Sequence, residues 1–263
     1  MKKCVLLTFI TLTILFLILS CTLREKSVAD SVQVTEDAVF VQGNNPQSAN
    51  ITKAGTPTKI VVIIYDGSSS EGKISQAFST AMSNVSGWTS YKGYYLPGTY
   101  NISDAKARIN DAVAQFGLPK SELLCLVIGK SLGGAKTYKM LASNASFFDD
   151  FYRNSVITVD AHEPVAPGDE GRCERWYDYV YFRCHSSDWN GHYDLAWKSA
   201  WNTMVANDQI GFFNMYQRDD WPRGYSFSTA DYNWRIYGYD HSAIANCPYT
   251  VSLIETAVYY LLS

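Results

Sequence analysis

The sequence has few charged residues and no excess of basic ones. Charged residues make up 18% of the 263 residues, with 22 lysines and arginines against 25 aspartates and glutamates. A nucleic-acid-binding protein needs clustered basic residues to neutralise phosphates, so we expect no nucleic-acid partner. Hydrophobic residues make up 47%, which excludes an intrinsically disordered chain and fits one large α/β domain or two small ones.

Cysteine and histidine are few, and they are not spaced as metal ligands. The chain has six cysteines and four histidines, with no C-x-x-C pair and no His/Cys cluster of zinc type. We therefore expect no structural metal, and no motif indicates a cofactor. There is also no internal repeat.

A run of apolar residues long enough to span a membrane comfortably is missing as well. The longest run, Val5 to Leu19, follows two lysines and falls short of the roughly 20 residues that a span needs, but it suits a secretory signal. It ends in Ile18-Leu19-Ser20-Cys21, which resembles the lipobox of bacterial lipoproteins. The resemblance implies a signal peptide over residues 1–20, cleavage before Cys21 and acylation of its thiol. An ordinary signal peptide or an uncleaved anchor remains the alternative.

An exported location changes how the charge and the cysteines are interpreted. Without residues 1–20 the chain loses two lysines, which leaves 20 basic against 25 acidic residues and a net charge of about −5. Thr22 gives no signal for retention at an inner membrane, so we expect a lipoprotein of the cell envelope and leave the outer membrane open. Cys125 lies in an apolar run and is expected to be a buried thiol. One disulfide is expected among Cys173, Cys184 and Cys247, with its pairing open.

Apolar runs alternate with helical patterns along most of the chain. Residues 21–58 are polar and predict a tether, and residues 59–263 predict a single domain. The pattern predicts a three-layer α/β fold whose mostly parallel sheet is covered by helices on both faces. The predicted strands are 59–65, 123–128, 155–160, 178–184, 211–217 and 234–239; the predicted helices are 71–83, 103–116, 135–143, 195–206 and 248–262; residues 93–98 are a loop or an edge strand.

Residues Gly129 to Gly133 match G-x-S-x-G between a predicted strand and a predicted helix. In this context the glycines let strand and helix approach a sharp turn that presents the hydroxyl of Ser131 above the sheet. The Gly-Lys-Ser within it also looks like the end of a phosphate-binding loop. That motif requires a further glycine where this chain has Leu124, so a nucleotide site is excluded.

A nucleophilic serine needs a histidine base, and the chain offers four: His162, His185, His192 and His241. His241 follows the last predicted strand and precedes the last helix. This order, together with the elbow sequence from Ser131 to Ala135, resembles the α/β-hydrolase superfamily, its lipase- and esterase-like members in particular. The resemblance implies that Ser131 is the nucleophile and His241 the base.

The acid is chosen from several aspartates. Asp160 ends a predicted strand after the elbow, where many superfamily members carry the acid, and we favour it. Other members carry the acid one strand later, which keeps Asp188, Asp219 and Asp220 open. Asp240 directly precedes the histidine, so we expect it to cap the turn instead.

The resemblance also implies an oxyanion site made of backbone amides. The first donor is expected to be Leu132, directly after the nucleophile, and the second Gly67 or Ser68 after the first strand. Asp66 beside this loop is unusual, because a carboxylate opposes the charge that develops there.

These features favour an exported, membrane-tethered serine hydrolase that cleaves small-molecule or lipid esters through an acyl-enzyme. A peptidase or an acyltransferase on the same scaffold is not separated from it by sequence. The alternative from another class is a non-catalytic lipoprotein that binds a ligand or partner in an aromatic cleft. The tryptophans that could line a cleft, or equally pack in the core, are Trp189, Trp197, Trp201, Trp221 and Trp234.

Overall fold

The computed structural model describes residues 38–45, 55–67, 72–98, 100–161, 210–219, 224, 227 and 230–263. The strands in these ranges are β1 (Val39–Asn44), β2 (Lys59–Tyr65), β3 (Ser90–Leu96), β4 (Leu124–Lys130), β5 (Arg153–Val159), β6 (Ile210–Tyr216) and β7 (Tyr232–Arg235). The α-helices are α1 (Lys73–Asn84), α2 (Ile102–Phe116), α3 (Leu132–Ser143), α4 (Ala145–Phe148) and α5 (Pro248–Leu262). Short 3-10 helices cover Lys120–Glu122 and Ala243–Asn246.

The described strands form one sheet in the order β1-β3-β2-β4-β5-β6-β7. Strand β1 is antiparallel to β3, and every other neighbouring pair is parallel. The mostly parallel sheet is therefore confirmed. Because the parallel strands all run the same way, their carboxyl ends meet at one edge, where sites in such sheets are built.

Helices cover both faces of the sheet, as predicted. Alternate side chains of β2 separate the two cores: Ile60, Val62 and Ile64 pack with α1 and α5 on one face. Their neighbours Val61, Ile63 and Tyr65 pack with α2 and α3 on the other. All six side chains are at most 1% exposed, which is why this strand reads as a continuous apolar run rather than an alternating one. The three-layer α/β architecture is confirmed.

Strand β1 corrects the predicted boundary between tether and domain. It lies within residues 21–58, so the sheet begins about twenty residues before position 59. An edge strand needs little apolar sequence, because its backbone hydrogen bonds to β3 supply much of its stability. Phe40 adds an apolar contact with the ring of Tyr94, with centroids 5.3 Å apart.

Strand β3 is also more central than its sequence indicates. The sequence predicts a loop or edge strand for residues 93–98, yet β3 lies between β1 and β2. A Cβ at Gly93 would lie 1.7 Å from the carbonyl oxygen of Val62, so glycine is required for the close approach of the two strands. The glycine that suggests a loop is therefore a packing requirement.

The remaining predicted elements either appear or lie outside the described residues. Helix α5 has the predicted bounds, and β6 and β7 fall close to the predicted 211–217 and 234–239. The predicted strand 178–184 and helix 195–206 lie outside, as do the predicted signal and Cys21. No helix in the part of the chain that is described is long and apolar enough to cross a membrane.

The described cysteines are both free thiols. Cys125 is fully buried on β4 as predicted, and burial raises the pKa of its thiol to about 12. Cys247, one candidate for the expected disulfide, is a free thiol buried at the start of α5. The other two candidates, Cys173 and Cys184, lie outside the described residues.

Candidate active site

Ser131 occupies a tight turn between β4 and α3, with a backbone φ of 55° in the left-handed region. The glycines on either side make this turn possible. A Cβ at Gly129 would lie 2.5 Å from the Gly133 carbonyl oxygen, and a Cβ at Gly133 would lie 2.1 Å from the Tyr65 carbonyl oxygen. Both contacts are with backbone that has little freedom to move. The steric reason for G-x-S-x-G therefore applies to this chain.

The structure brings Ser131, His241 and Asp160 together. The His241 Nδ1 lies 2.6 Å from Asp160 Oδ2, and its Nε2 lies 2.7 Å from Ser131 Oγ. An ionised carboxylate only accepts hydrogen bonds, so Nδ1 carries the proton and donates to Asp160. Nε2 is then an acceptor for the Ser131 hydroxyl, which is the arrangement a general base requires.

Asp160 directly follows β5 and is fully buried. Its backbone φ is 48°, and its N–H donates to the Met215 carbonyl on β6, at 2.7 Å. Among the alternatives, Asp219 forms a salt bridge with Arg235 at 3.1 Å instead. Asp188 and Asp220 lie outside the described residues, as do the histidines at 162, 185 and 192.

Asp240 caps the turn that carries His241, as predicted. Its Oδ1 accepts hydrogen bonds from the backbone N–H groups of Ser242 at 2.8 Å and Ala243 at 2.6 Å. These amides, the Ala243 one first, hold the pKa of Asp240 below its usual value, with help from the charge of Lys73. Lys73 also donates from α1 to the hydroxyl of Ser242, which ties the turn to the body of the domain.

Gln217 also binds the Asp160 carboxylate, in addition to His241, and no sequence motif predicts this contact. Its backbone N–H donates to Asp160 Oδ1 at 3.0 Å, and its side-chain Nε2 donates to Oδ2 at 3.1 Å. Gln217 directly follows β6 and is fully buried. A glutamine at a strand end belongs to no catalytic motif. The β5–β6 pairing places it beside Asp160, although the two residues are 57 positions apart in the chain.

The oxyanion side of the site differs in part from expectation. Leu132 is the first residue of α3, and the first N–H groups of a helix have no acceptor within the helix and carry the positive end of its dipole, which favours a nearby anion. The Gly67 amide, in contrast, donates to Asp66 Oδ1 at 2.7 Å, because the carboxylate folds back onto its own loop. The other oxygen of Asp66, Oδ2, accepts from the hydroxyl of Tyr95 on β3. Ser68 lies outside the described residues.

Two further expectations concern aromatic and metal-binding residues. Trp234 on β7 packs partly buried against the core, while the other four candidate tryptophans lie outside the described residues. Within the described ranges, no group of three histidine, cysteine or acidic side chains could hold a metal ion.

The sequence matches no protein-family model and no curated protein. Solved structures with a similar backbone include a peroxisomal alpha-beta-hydrolase from Saccharomyces cerevisiae, with 14% identity and a TM-score of 0.45 over 88% of this chain and 91% of that one. Est1E from Butyrivibrio proteoclasticus has 12% identity and a TM-score of 0.49 over 85% and 93%. A lipase-esterase related protein from Clostridium acetobutylicum has 9% identity and a TM-score of 0.42 over 85% and 99%. These likenesses concern the path of the backbone, and the chemistry of this chain rests on its own side chains.

Proposed function

We propose that this protein is a serine hydrolase that cleaves carboxylic esters through an acyl-enzyme. The observation that carries the proposal is the continuous hydrogen-bond chain from Ser131 Oγ through the His241 ring to Asp160, with links of 2.7 Å and 2.6 Å. The alternative of a degenerate, purely binding fold has no need of a hydroxyl, an imidazole and a buried carboxylate in this order. Ser131 and Asp160 also both adopt left-handed backbone conformations, a strain that tends to persist at functional sites.

In the first half of the reaction, Ser131 Oγ attacks the ester carbonyl carbon while its proton passes to His241 Nε2. The carbonyl π electrons move to the oxygen, which becomes the oxyanion of a tetrahedral intermediate. The Leu132 amide at the N-terminus of α3 stabilises that charge. The intermediate collapses, the bond to the alkoxy group breaks, and the Nε2 proton leaves with the alcohol.

In the second half, water attacks the acyl-enzyme in the same way. His241 Nε2 takes a proton from the water, and the new tetrahedral intermediate releases the carboxylic acid as Ser131 Oγ regains that proton. In both halves His241 is transiently an imidazolium. Asp160 stabilises this cation through the bond from Nδ1, and its complete burial strengthens the attraction because no water screens it.

The proposal is tested with a fluorophosphonate probe on the full chain extracted in detergent. We expect the probe to label wild type covalently and to leave Ser131→Ala unlabelled. Turnover of a p-nitrophenyl ester should fall by roughly six orders of magnitude in that variant, the cost of removing a triad serine elsewhere. Absence of labelling in wild type, or equal labelling of the variant, would refute the proposal.

A second variant separates catalysis from binding. In His241→Ala the serine loses its base, so both labelling and ester turnover should drop by several orders of magnitude. Retained turnover in His241→Ala would remove that residue from the mechanism. A wild type that binds an ester without cleaving it would favour the binding protein.

We also propose, from the sequence at its N-terminus, that the enzyme is exported and held at a membrane of the cell envelope by a lipid on Cys21. Replacement of that cysteine in Cys21→Ser should move the protein from the membrane fraction to the soluble envelope fraction and abolish incorporation of labelled palmitate. An unchanged membrane fraction would contradict the lipid anchor and would leave the hydrolase proposal untouched.

A further inference from the structure

We infer that Gln217 is a positioning residue for the triad: it fixes the plane and the charge of the Asp160 carboxylate that faces His241. This inference rests on the proposed function of Ser131, His241 and Asp160. It deepens that function by assigning a fourth side chain which acts on the reaction only through Asp160.

Gln217 supplies two of the hydrogen bonds to the carboxylate, one to each oxygen. The backbone N–H binds Oδ1 at 3.0 Å and the side-chain Nε2 binds Oδ2 at 3.1 Å. A carboxylate held by both oxygens has little freedom to rotate about its bond to Cβ. Oδ2, the oxygen that accepts from His241 at 2.6 Å, is therefore held in place.

The orientation of the Gln217 amide is fixed by a separate contact. Its Oε1 accepts from the backbone N–H of Asp219 at 3.0 Å, which requires the NH₂ group to face Asp160. The Gln217 carbonyl oxygen in turn accepts from the N–H of Gly224 at 3.1 Å. A Cβ at Gly224 would lie 1.9 Å from Asp160 Oδ1, so only glycine lets the backbone at this position come so close to the carboxylate.

These contacts matter because Asp160 is a fully buried charge. A buried carboxylate is stable only where hydrogen-bond donors replace water. If the Nε2 donor is removed, the negative charge on Oδ2 is compensated mainly by His241, which favours the imidazolium. The pKa of His241 should therefore rise, and with it the pH below which the base is inactive.

The other charged groups near Asp160 and His241 are unchanged in the Gln217 variants that test this inference. Among the described residues they include Asp240, on the turn of His241, and Lys73, which acts on that turn from α1. Beside Gln217 itself lies Asp219, in an ion pair with Arg235. On the other side of the serine are Asp66 and Lys130, the sequence neighbours of Gly67 and Ser131.

The test is the pH dependence of kcat/KM on a p-nitrophenyl ester for the full chain in detergent. Gln217→Met keeps the length of the side chain and removes the donor. We expect the acidic limb of its kcat/KM profile to move to higher pH by about 0.5–1 unit. Its kcat should fall by about tenfold, with little change in KM. Gln217→Glu keeps the shape and adds a carboxyl group, so its acidic limb should move further in the same direction.

A matched control is Asn214→Leu, which also removes a fully buried amide from β6. Asn214 contacts Thr158 and Asn233, each at 2.7 Å, and these are not triad residues. The Asn214→Leu variant should be less stable than wild type, but the acidic limb of its pH profile should not shift. A shift as large as that of Gln217→Met would show a merely structural effect and overturn the inference. So would unshifted profiles in both Gln217 variants.

A measurement without turnover separates this inference from the proposed function. The pKa of the His241 ring, followed by nuclear magnetic resonance with labelled histidine, should rise in Gln217→Met relative to wild type. If the ring pKa rises in Gln217→Met while wild type cleaves no ester, the positioning role of Gln217 is supported and the hydrolase is refuted. An unchanged ring pKa in an active enzyme would refute Gln217 and keep the hydrolase.

Discussion

Ser131 carries its hydroxyl on a backbone that is unfavourable for any residue with a Cβ. Its φ of 55° costs an L-residue about 1–2 kcal/mol relative to the right-handed region. The flanking glycines and the Ala135 N–H, which donates to the Ser131 carbonyl at 3.1 Å, hold the residue there. The strained backbone places the nucleophile directly before α3, at the positive end of the helix dipole.

The strain at Ser131 predicts which of two inactive variants has the higher free energy of unfolding. Ser131→Ala and Ser131→Gly both lose the nucleophile and the bond to His241, but only the glycine variant loses the Cβ. Ser131→Gly should therefore unfold in urea with a free energy about 1 kcal/mol higher than Ser131→Ala. Equal stability of the two would mean that the turn is not strained by its side chain.

Asp66 is a second unfavourable feature of the site, because its negative charge repels the oxyanion that forms during the reaction. It is 3% exposed, and a Cβ on its neighbour Gly67 would lie 3.4 Å from Ser131 Oγ. The carboxylate binds both the Gly67 amide and the Tyr95 hydroxyl, so it orders the loop while it disfavours the charge that the reaction develops.

Asp66→Asn should therefore raise kcat. The asparagine oxygen can still accept from the Gly67 amide, and the negative charge is gone. Removal of a repulsion of about 1 kcal/mol corresponds to a roughly fivefold gain. Tyr95→Phe is the control, since it removes a hydrogen bond and leaves the charge, and its kcat should not rise. A lower kcat in Asp66→Asn would show that the carboxylate helps the reaction.

The residues that sequence could indicate are those whose chemistry has a local signature. Ser131 stands in a motif with a steric cause. The family resemblance indicates His241 and favours Asp160, with Asp188, Asp219 and Asp220 left open. Gln217 and Tyr95 have no such signature. Each reaches its partner only because two strands pair, and the residues of the Gln217–Asp160 contact are 57 positions apart. The engagement of the Gly67 amide by Asp66 likewise depends on a side-chain conformation that composition does not encode.

At the scale of elements, the turn of His241 is held by charge as well as by packing. Asp240 accepts two backbone N–H groups, and these bonds hold its pKa below its usual value. A carboxylate whose folded pKa is lowered contributes stability above its unfolded pKa, near 3.9, and loses that contribution as pH falls through the folded pKa.

The lowered pKa of Asp240 predicts how the stability of the turn depends on pH. Asp240→Asn keeps an acceptor oxygen without the charge, so it should be less stable than wild type at pH 6. The difference between the two should shrink toward pH 3, because the contribution of the charge falls once the pH is below the unfolded pKa. Urea unfolding at both pH values measures it. A difference that stays constant between them would show that the charge of Asp240 does not support the turn.

The elements that sequence predicted well are those with a strong apolar period, such as β2, β4 and α5. The sequence predicts a tether where β1 lies and a loop or edge strand over part of β3, since these sequences are polar or rich in glycine and tyrosine. Each is stabilised by its neighbour: β1 by pairing with β3, and β3 by pairing on both sides. Such strands depend on partners far along the chain, and local sequence carries little of that information.

For the whole molecule, β1 decides where the folded unit begins. The compact unit that contains the sheet runs from Asp37 to Ser263, and β1 covers what would otherwise be the open edge of β3. Two loop contacts extend the pairing: the Ala38 N–H donates to the Tyr100 hydroxyl at 3.1 Å, and the Asn45 N–H donates to the Thr89 carbonyl at 2.9 Å. An uncovered edge strand is a template for pairing between molecules.

A chain shortened to residues 59–263 should therefore be less stable than one of residues 37–263 and should aggregate. The loss of the β1 ladder and of the Phe40–Tyr94 contact should lower the free energy of unfolding by on the order of 3 kcal/mol. Urea unfolding and light scattering of the two chains at equal concentration measure both effects. The active-site residues all lie beyond position 59, so any ester turnover by the shorter chain reports its folded fraction. Equal stability and solubility would mean that the sheet is complete without β1 and that residues 37–58 are a tether after all.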